Sequence, residues 1–284
     1  MVGAGRPRPR PSVPAGGPVS IKVTTVNVNG IRAAYRKGMD AWLATEEPDV
    51  VLVQEVRAPD DIVRSLIGDG WHVVHQACTV KGRAGVAIAS RLPLSAARIG
   101  LAEVEPDVDT GRWVEADVEL PSGGTLTVVS TYIHSGTAGT PKMDEKYAHL
   151  EKVTARMREL ASAGGFTVVA GDINIAHRNN DIKNWKGNLK SAGFLPEERA
   201  YLDVWFDELG FVDLGRRFAG DVPGPYTWWS NRGQAFDNDA GWRIDYHLTT
   251  PALADAARSI EVGRAASYDT RWSDHAPLTA VYDI

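Results

Sequence analysis

Apolar residues fall into short runs broken by polar residues, with one long amphipathic stretch among them. Ile21 to Val28 alternates as a strand that closes on Asn27, Asn29 and Gly30. Ile31 and Arg32 then open a helix expected to end near Thr45. Asp49 to Val53 is a continuous apolar strand running into Gln54 and Glu55, and further strands are expected at 71–76, 84–90, 112–120 and 125–132, the last ending on Tyr132. Between Met143 and Ala163, the residues Met143, Tyr147, Leu150, Val153, Met157 and Leu160 recur every three or four positions, which predicts a helix lying on a sheet. Phe166, Val168, Val169 and Ala170 form a buried strand, ended by Gly171 just before Asp172 and Asn174. A long polar loop at 178–194, a helix from Glu197 to Leu209, and strands at 226–229, 242–249, 258–262 and 278–282 complete the pattern. Many strands, few helices, no repeat and no linker predict an α/β chain of two packed sheets flanked by helices, as one domain over 21–284. Residues 1–20 are rich in Pro, Gly and Arg without periodicity, and are expected to be a disordered tail rather than a secretory signal.

Composition narrows the function classes. The chain has 284 residues, 43% of them hydrophobic, and no apolar run nears the roughly 18 residues that span a membrane. Cys78 is the sole cysteine, which excludes an intramolecular disulfide framework and a thiolate zinc cluster and fits a reducing, cytoplasmic compartment. A formal net charge of −5 does not advertise a polyanion ligand. A local basic face still serves one, because screening limits distant charges to about 8 Å at physiological salt.

The polar groups at strand ends carry the chemistry. They are Asn27, Asn29, Glu55, Tyr132, Asp172, Asn174, Asp245, Asp274 and His275. Gly-Asp-x-Asn alone is more often a plain turn, and a lone Glu after a strand is often a surface ion pair. Nine such residues, all hard oxygen ligands or acid-base groups without a thiolate, suit Mg²⁺ or Mn²⁺ rather than zinc. A cation of that kind neutralises phosphate oxygens, the main need in phosphodiester hydrolysis.

NVNGIRAA at 27–34, VQEV at 53–56, Tyr132, GDINIAH at 171–177, KGNLKSAGFLPEER at 186–199, GWRIDY at 241–246 and SDHAP at 273–277 resemble the exonuclease III family of abasic-site endonucleases, within the wider DNase I-like superfamily. The motifs run in family order from residue 21 to 284. The resemblance implies a four-layer α/β sandwich and a Mg²⁺-dependent enzyme, Mn²⁺ being an alternative. Such an enzyme cuts duplex DNA on the 5′ side of abasic sites and acts on 3′ ends as an exonuclease or phosphodiesterase. It further implies a monomer without an obligate protein partner. By motif, Glu55 is the metal ligand with Asn27 beside it, and Asp172, Asn174, Asp274 and His275 complete the metal and phosphate site. Asp172 would activate or position water, with Asn174 orienting it. His275, oriented by Asp245, would hold the scissile phosphate, and Tyr132 would assist the departing oxygen. Which of Asp172 and the Asp245–His275 pair takes the proton from water stays open. Arg57, Arg112, Asn184, Lys186, Asn188, Trp228 and Trp242 are the expected DNA contacts, the two tryptophans walling a pocket for a base-free sugar.

Some positions depart from the family pattern. Asn29 stands where several members have Asp, Arg57 where Lys is usual, Ser135 where a longer donor is common, and Thr110 where an acid is frequent. None removes a catalytic group. The rival readings are a phosphatase for lipid or inositol phosphates, disfavoured by the AGFLPEER segment and the paired tryptophans, and an inactive DNA binder. The latter should lack at least one of Glu55, Asp172, Asn174 and His275.

Overall fold

Period-two burial in the central strands dictates the layering. Val50 and Leu52 point to one core while Val51 and Val53 point to another, so this strand is buried on both faces, as strands of parallel pairs are. The computed structural model describes residues 19–101 and 110–284. Residues 1–18 of the expected tail therefore lie outside the described residues. Val19 and Ser20 do not belong to a tail: Val19 exchanges both backbone hydrogen bonds with Ile284, and Ser20 begins the first strand.

The described residues form two six-stranded sheets. The first contains β1 (Ser20–Asn27), β2 (Val50–Gln54), β3 (His72–Gln76), β4 (Val86–Ser90), β11 (Ala257–Val262) and β12 (Leu278–Asp283), in the order β11-β12-β1-β2-β4-β3. The second contains β5 (Leu94–Ile99), β6 (Trp113–Glu119), β7 (Thr125–Tyr132), β8 (Phe166–Asp172), β9 (Val212–Asp213) and β10 (Asp245–Thr249), in the order β5-β6-β7-β8-β10-β9. Each sheet is mixed, with one central parallel pair, β1 with β2 and β7 with β8, and antiparallel neighbours on both sides.

The inward faces meet in a core that includes Val23, Leu52, Ile88, Val114, Val128, Val168 and Ala280. Each Val, Leu or Ile among them contributes roughly 1.5–3 kcal/mol by leaving water. Outside the first sheet pack α1 (Ile31–Arg36), α2 (Met39–Glu46) and α3 (Asp60–Ile67), and outside the second α4 (Lys142–Ala163) and α5 (Pro196–Asp203). Two short helices, α6 (Leu214–Ala219) and α7 (Pro251–Asp255), complete the set. The result is the expected four-layer sandwich. His247, fully buried between the sheets, bonds Tyr282 and the Leu278 carbonyl, and burial pushes its pKa down to about 4.

Several expected elements differ. The helix expected up to Thr45 is two, interrupted at Gly38, whose φ of 110° a helix does not accommodate. The helix expected to reach Leu209 turns into a π-helical turn at Val204–Glu208. The run at 226–229 is no strand: Trp228 makes only isolated bridges, to Trp242 and to His275. The strand expected from 242 starts at Asp245. Finally, β8 does not stop at Ala170. Gly171 lies inside it, opposite Thr131 and Tyr246, where a Cβ would sit 1.9 Å from the Thr131 carbonyl oxygen. Glycine is what lets β7 and β8 stay paired to their tips.

Candidate active site

Ligand sites in α/β sheets form at the carboxyl ends of parallel strands, and here four such ends converge. β1 ends at Asn27, β2 runs into Glu55, β7 ends at Tyr132 and β8 at Asp172. Register does the placing: Tyr132 pairs with Asp172 on one side and Asp245 pairs with it on the other, so three functional side chains stand in a row. The Asn27 amide donates to Glu55 Oε1 at 2.8 Å and to Asp172 Oδ2 at 2.9 Å, joining the mouths of the two sheets.

His275 arrives just ahead of β12. Its Nδ1 lies 2.9 Å from Asp245 Oδ2 and its Nε2 lies 3.7 Å from Asp172 Oδ2. Burial pulls the imidazolium pKa down, but Asp245 and Asp172 together outweigh it and hold it up to about 10. Asp172 is pushed the other way from an ordinary carboxylate: burial raises it to about 7 despite the opposing charge of His275. Burial also raises the Tyr132 phenol far above its usual range, with Glu55 and Asp172 adding to the effect, so its O–H is retained as a donor. Asp274 stays below its usual value. Burial would raise it, but the charge of His275 and hydrogen bonds from Trp228 Nε1 (3.1 Å) and Asn29 Nδ2 (2.9 Å) prevail.

These groups face a cleft of about 500 Å³. Glu55, Arg57, Tyr132, Asp172, Asn174, Asn188, Asp274 and His275 line it, with Trp228 and Trp242 as one wall. The two indoles meet edge to face, with centroids 6.2 Å apart, and both are half-buried rather than core. Asn27 and Asp245 stand behind the lining and act through the groups they bond. The chain leaves the extended conformation between Asp172 and Asn174. Asn174 adopts φ 54°, its N–H returns to Asp172 Oδ1, and its amide donates to the Ile133 carbonyl. Asn29, Glu55 and Arg57 are also left-handed, so the conformation costly for non-glycine residues gathers at this cleft.

Not every expected contact reaches it. Arg112 lies over the Tyr132 ring at 4.8 Å and bonds the Tyr132 carbonyl. Asn184 and Lys186 sit outside the lining: the 3-10 turn Trp185–Asn188 swings Asn188 inward, while Lys186 lies over Trp185. Gly193 and Ile244, which sequence reading passed over, complete the tryptophan wall. Gly193 lies within the motif at 186–199 and Ile244 within that at 241–246, and membership of those motifs was the available signal.

The donor set fits a divalent cation. The ligand atoms of Asp172, Asp245 and His275 lie within 4.8 Å of one another, and buried Asp245 Oδ1 has no hydrogen-bond partner. Among the described residues, the four carboxylates Glu55, Asp172, Asp245 and Asp274 outnumber Arg57 and His275, the cations that face them in the cleft, an imbalance that burial makes costly. We expect Mg²⁺ or Mn²⁺ to raise the melting temperature over an EDTA control, following RT ln(1 + [L]/Kd). Glu55→Gln should shrink the shift. An equal shift in the variant would remove Glu55 from the ligand set.

Residues 24–275 match the family model described as the Endonuclease/Exonuclease/phosphatase family. An exodeoxyribonuclease of Bacillus subtilis is 32% identical over 266 residues, covering 93% of this chain and 100% of the relative. Among solved structures, a 3′-5′ exonuclease of Neisseria meningitidis superposes with a TM-score of 0.82 at 30% identity, covering 93% of this chain and 100% of that one. An AP endonuclease of Archaeoglobus fulgidus does so with a TM-score of 0.79 at 30% identity and the same coverage. With its two-sheet sandwich, its converging strand ends and these relatives along nearly its whole length, the chain belongs to the endonuclease/exonuclease/phosphatase family, in the exonuclease III branch.

Proposed function

We propose that the chain is a divalent-cation-dependent DNA-repair nuclease that hydrolyses the phosphodiester on the 5′ side of abasic sites in duplex DNA and trims 3′ ends. The observation that carries this reading is the Asp172 carboxylate, raised to about 7, beside an imidazolium held by Asp245, in a cleft walled by two tryptophans. A group with a pKa near working pH is the efficient proton acceptor. Asp172 therefore takes the proton from the attacking water. His275, already protonated, donates from Nε2 to a phosphate oxygen, and Tyr132 gives its O–H to the departing 3′ oxygen. Asn174 orients Asp172 through its backbone N–H. Asn27, fixed by the two carboxylates it bonds, holds Glu55 and Asp172 together.

Glu55, Asp172, Asn174, Asp274 and His275 are the side chains on the cleft available to a Mg²⁺ or Mn²⁺ ion and the phosphate bound to it. When bound, that ion neutralises phosphate charge and stabilises the leaving oxygen. Trp228 and Trp242 receive the sugar of a nucleotide that has lost its base, for which unstacking costs least. Arg57 and Asn188 serve the flanking phosphates, and Arg112, Asn184 and Lys186 extend that basic surface along the duplex. Among the described residues no helix is long and apolar enough to cross a membrane.

The test is cleavage of a 5′-labelled duplex carrying one abasic analogue, beside an undamaged 3′-recessed duplex, each with Mg²⁺ and with EDTA. Metal-dependent incision at the lesion is expected, and folded protein that cuts neither duplex would refute the reading. Trp242→Ala should cost more on the abasic duplex than on the 3′-recessed one, by roughly tenfold, since burying the apolar face of a base-free sugar against an indole is worth on the order of 1.5 kcal/mol. Equal losses would dismiss the pocket.

A further inference from the structure

Behind the cleft lies a buried ion pair that the chemistry above does not use. Lys146 on α4 and Glu198 on α5 both have side chains 0% exposed, with Lys146 Nζ 2.5 Å from Glu198 Oε1. Nζ also donates to the Asn174 carbonyl at 2.9 Å and, at 3.3 Å, to that of Ser135. The other oxygen of Glu198 accepts from the backbone N–H groups of Gly193 (2.7 Å) and Leu195 (2.9 Å). Three segments that line the cleft are thus tied to one point: Ser135 and Gly136 after β7, Asn174 after β8, and Gly193 beside Trp242. Left-handed Asn174 turns its carbonyl toward this cation, while its own N–H holds Asp172.

Two charges removed from water cost several kcal/mol each, and apolar residues of the same volume stabilise a fold as well or better. What an apolar pair lacks is direction: four hydrogen bonds to named backbone atoms. We propose that Lys146 and Glu198 are positioning residues for cleavage, holding the loop that carries Asn174 and the Gly193 wall in register with Asp172. This rests on the nuclease reading, and the two fail differently: absence of cleavage by the wild-type protein would sink the nuclease reading, whereas the variants decide the positioning role.

The experiment measures single-turnover rate, DNA affinity in EDTA and thermal melting for Lys146→Met/Glu198→Gln, Lys146→Arg and Glu198→Asp. The neutral double variant, which keeps an acceptor for the Gly193 and Leu195 amides, is expected to melt within a few degrees of wild type. It should bind abasic DNA within about threefold, yet cleave roughly 10- to 100-fold more slowly per folded molecule, the effect of misplacing a reacting group by about 1 Å. Lys146→Arg, which keeps a cation and its donors, should recover most of that rate. Glu198→Asp, which draws the carboxylate back by one methylene with little risk to folding, should show a smaller loss of the same kind. Wild-type rates in the double variant, or in Glu198→Asp if the double variant does not fold, would overturn the proposal. So would losses that merely follow the folded fraction in all three variants.

Discussion

Asp172→Asn is expected to abolish incision at an abasic site, by roughly 10³- to 10⁴-fold or more, while binding of the same DNA survives. The size follows from the loss of two things at once: proton acceptance, worth about 10²- to 10⁴-fold, and one of the carboxylates that attract the cation. The amide is nearly isosteric. It keeps an oxygen for the Asn174 N–H but presents hydrogens toward His275 or Asn27, both of which are donors. The facing donors cost about 1–3 kcal/mol of stability, so rates are compared per folded molecule. Rapid-quench cleavage beside fluorescence anisotropy on an abasic duplex separates the two effects. Undiminished turnover would move the proton acceptor elsewhere, to the Asp245–His275 pair that sequence left as the alternative.

His275→Ala carries the second-largest effect, and it reaches stability as well as rate. Losing one donor to a phosphate oxygen costs about 10²- to 10³-fold in kcat. It also leaves Asp245, 0% exposed, without its counterion, and breaking a buried pair from one side costs about 3–5 kcal/mol. The pH dependence has a definite sign. The folded imidazolium titrates at about 10 and the unfolded one at about 6.5, so its stabilisation is complete below about 6.5 and is lost as pH rises through about 10. In EDTA, wild-type protein should lose up to about 1.4 kcal/mol per pH unit within that window, and His275→Ala should lack this slope. A parallel slope in the variant, read by urea titration at pH 7, 8 and 9, would show that His275 is neutral in the fold.

Much of this site was legible because β-branched runs stop abruptly at polar residues. Glu55 and Asp172 come within two residues of an apolar run, Asn27 and Tyr132 end strands rich in β-branched residues, and family motifs then supplied Asp245 and the Asp274–His275 step. Less was legible where burial and local pattern part company. β5, with sequence LSAARI, is an edge strand with largely exposed residues, so it lacks the alternation that reveals a strand. The aromatics at 226–229 suggested a strand, yet Trp228 is held by bridges on either side of the cleft it walls. Short helices such as α6 and α7 offer too few turns for a periodicity to emerge. The most instructive case is Lys146. The apolar stripe read from sequence runs through Tyr147, but 143, 146, 150, 153, 157 and 160 follow an unbroken 3-4 spacing. The lysine, not Tyr147, occupies the buried stripe. A charge on an apolar seam was the available sign of a buried partner.

The pairing of β1 with β12 has a bearing on when activity first arises. Asn27 and Ser273, 246 positions apart, are joined by a 2.6 Å hydrogen bond, and Asn29 meets Asp274 across a similar span. Contacts of such sequence separation form late, because loop-closure entropy must be overcome before they can stabilise anything. A growing chain that has not yet paired β12 with β1 holds Glu55 and Asp172 in place but has nothing to fix Asp274 and His275, which lie just ahead of β12, and so carries no complete cutting site. The enzyme is thus timed by its own topology: it cannot nick DNA until its two ends have met.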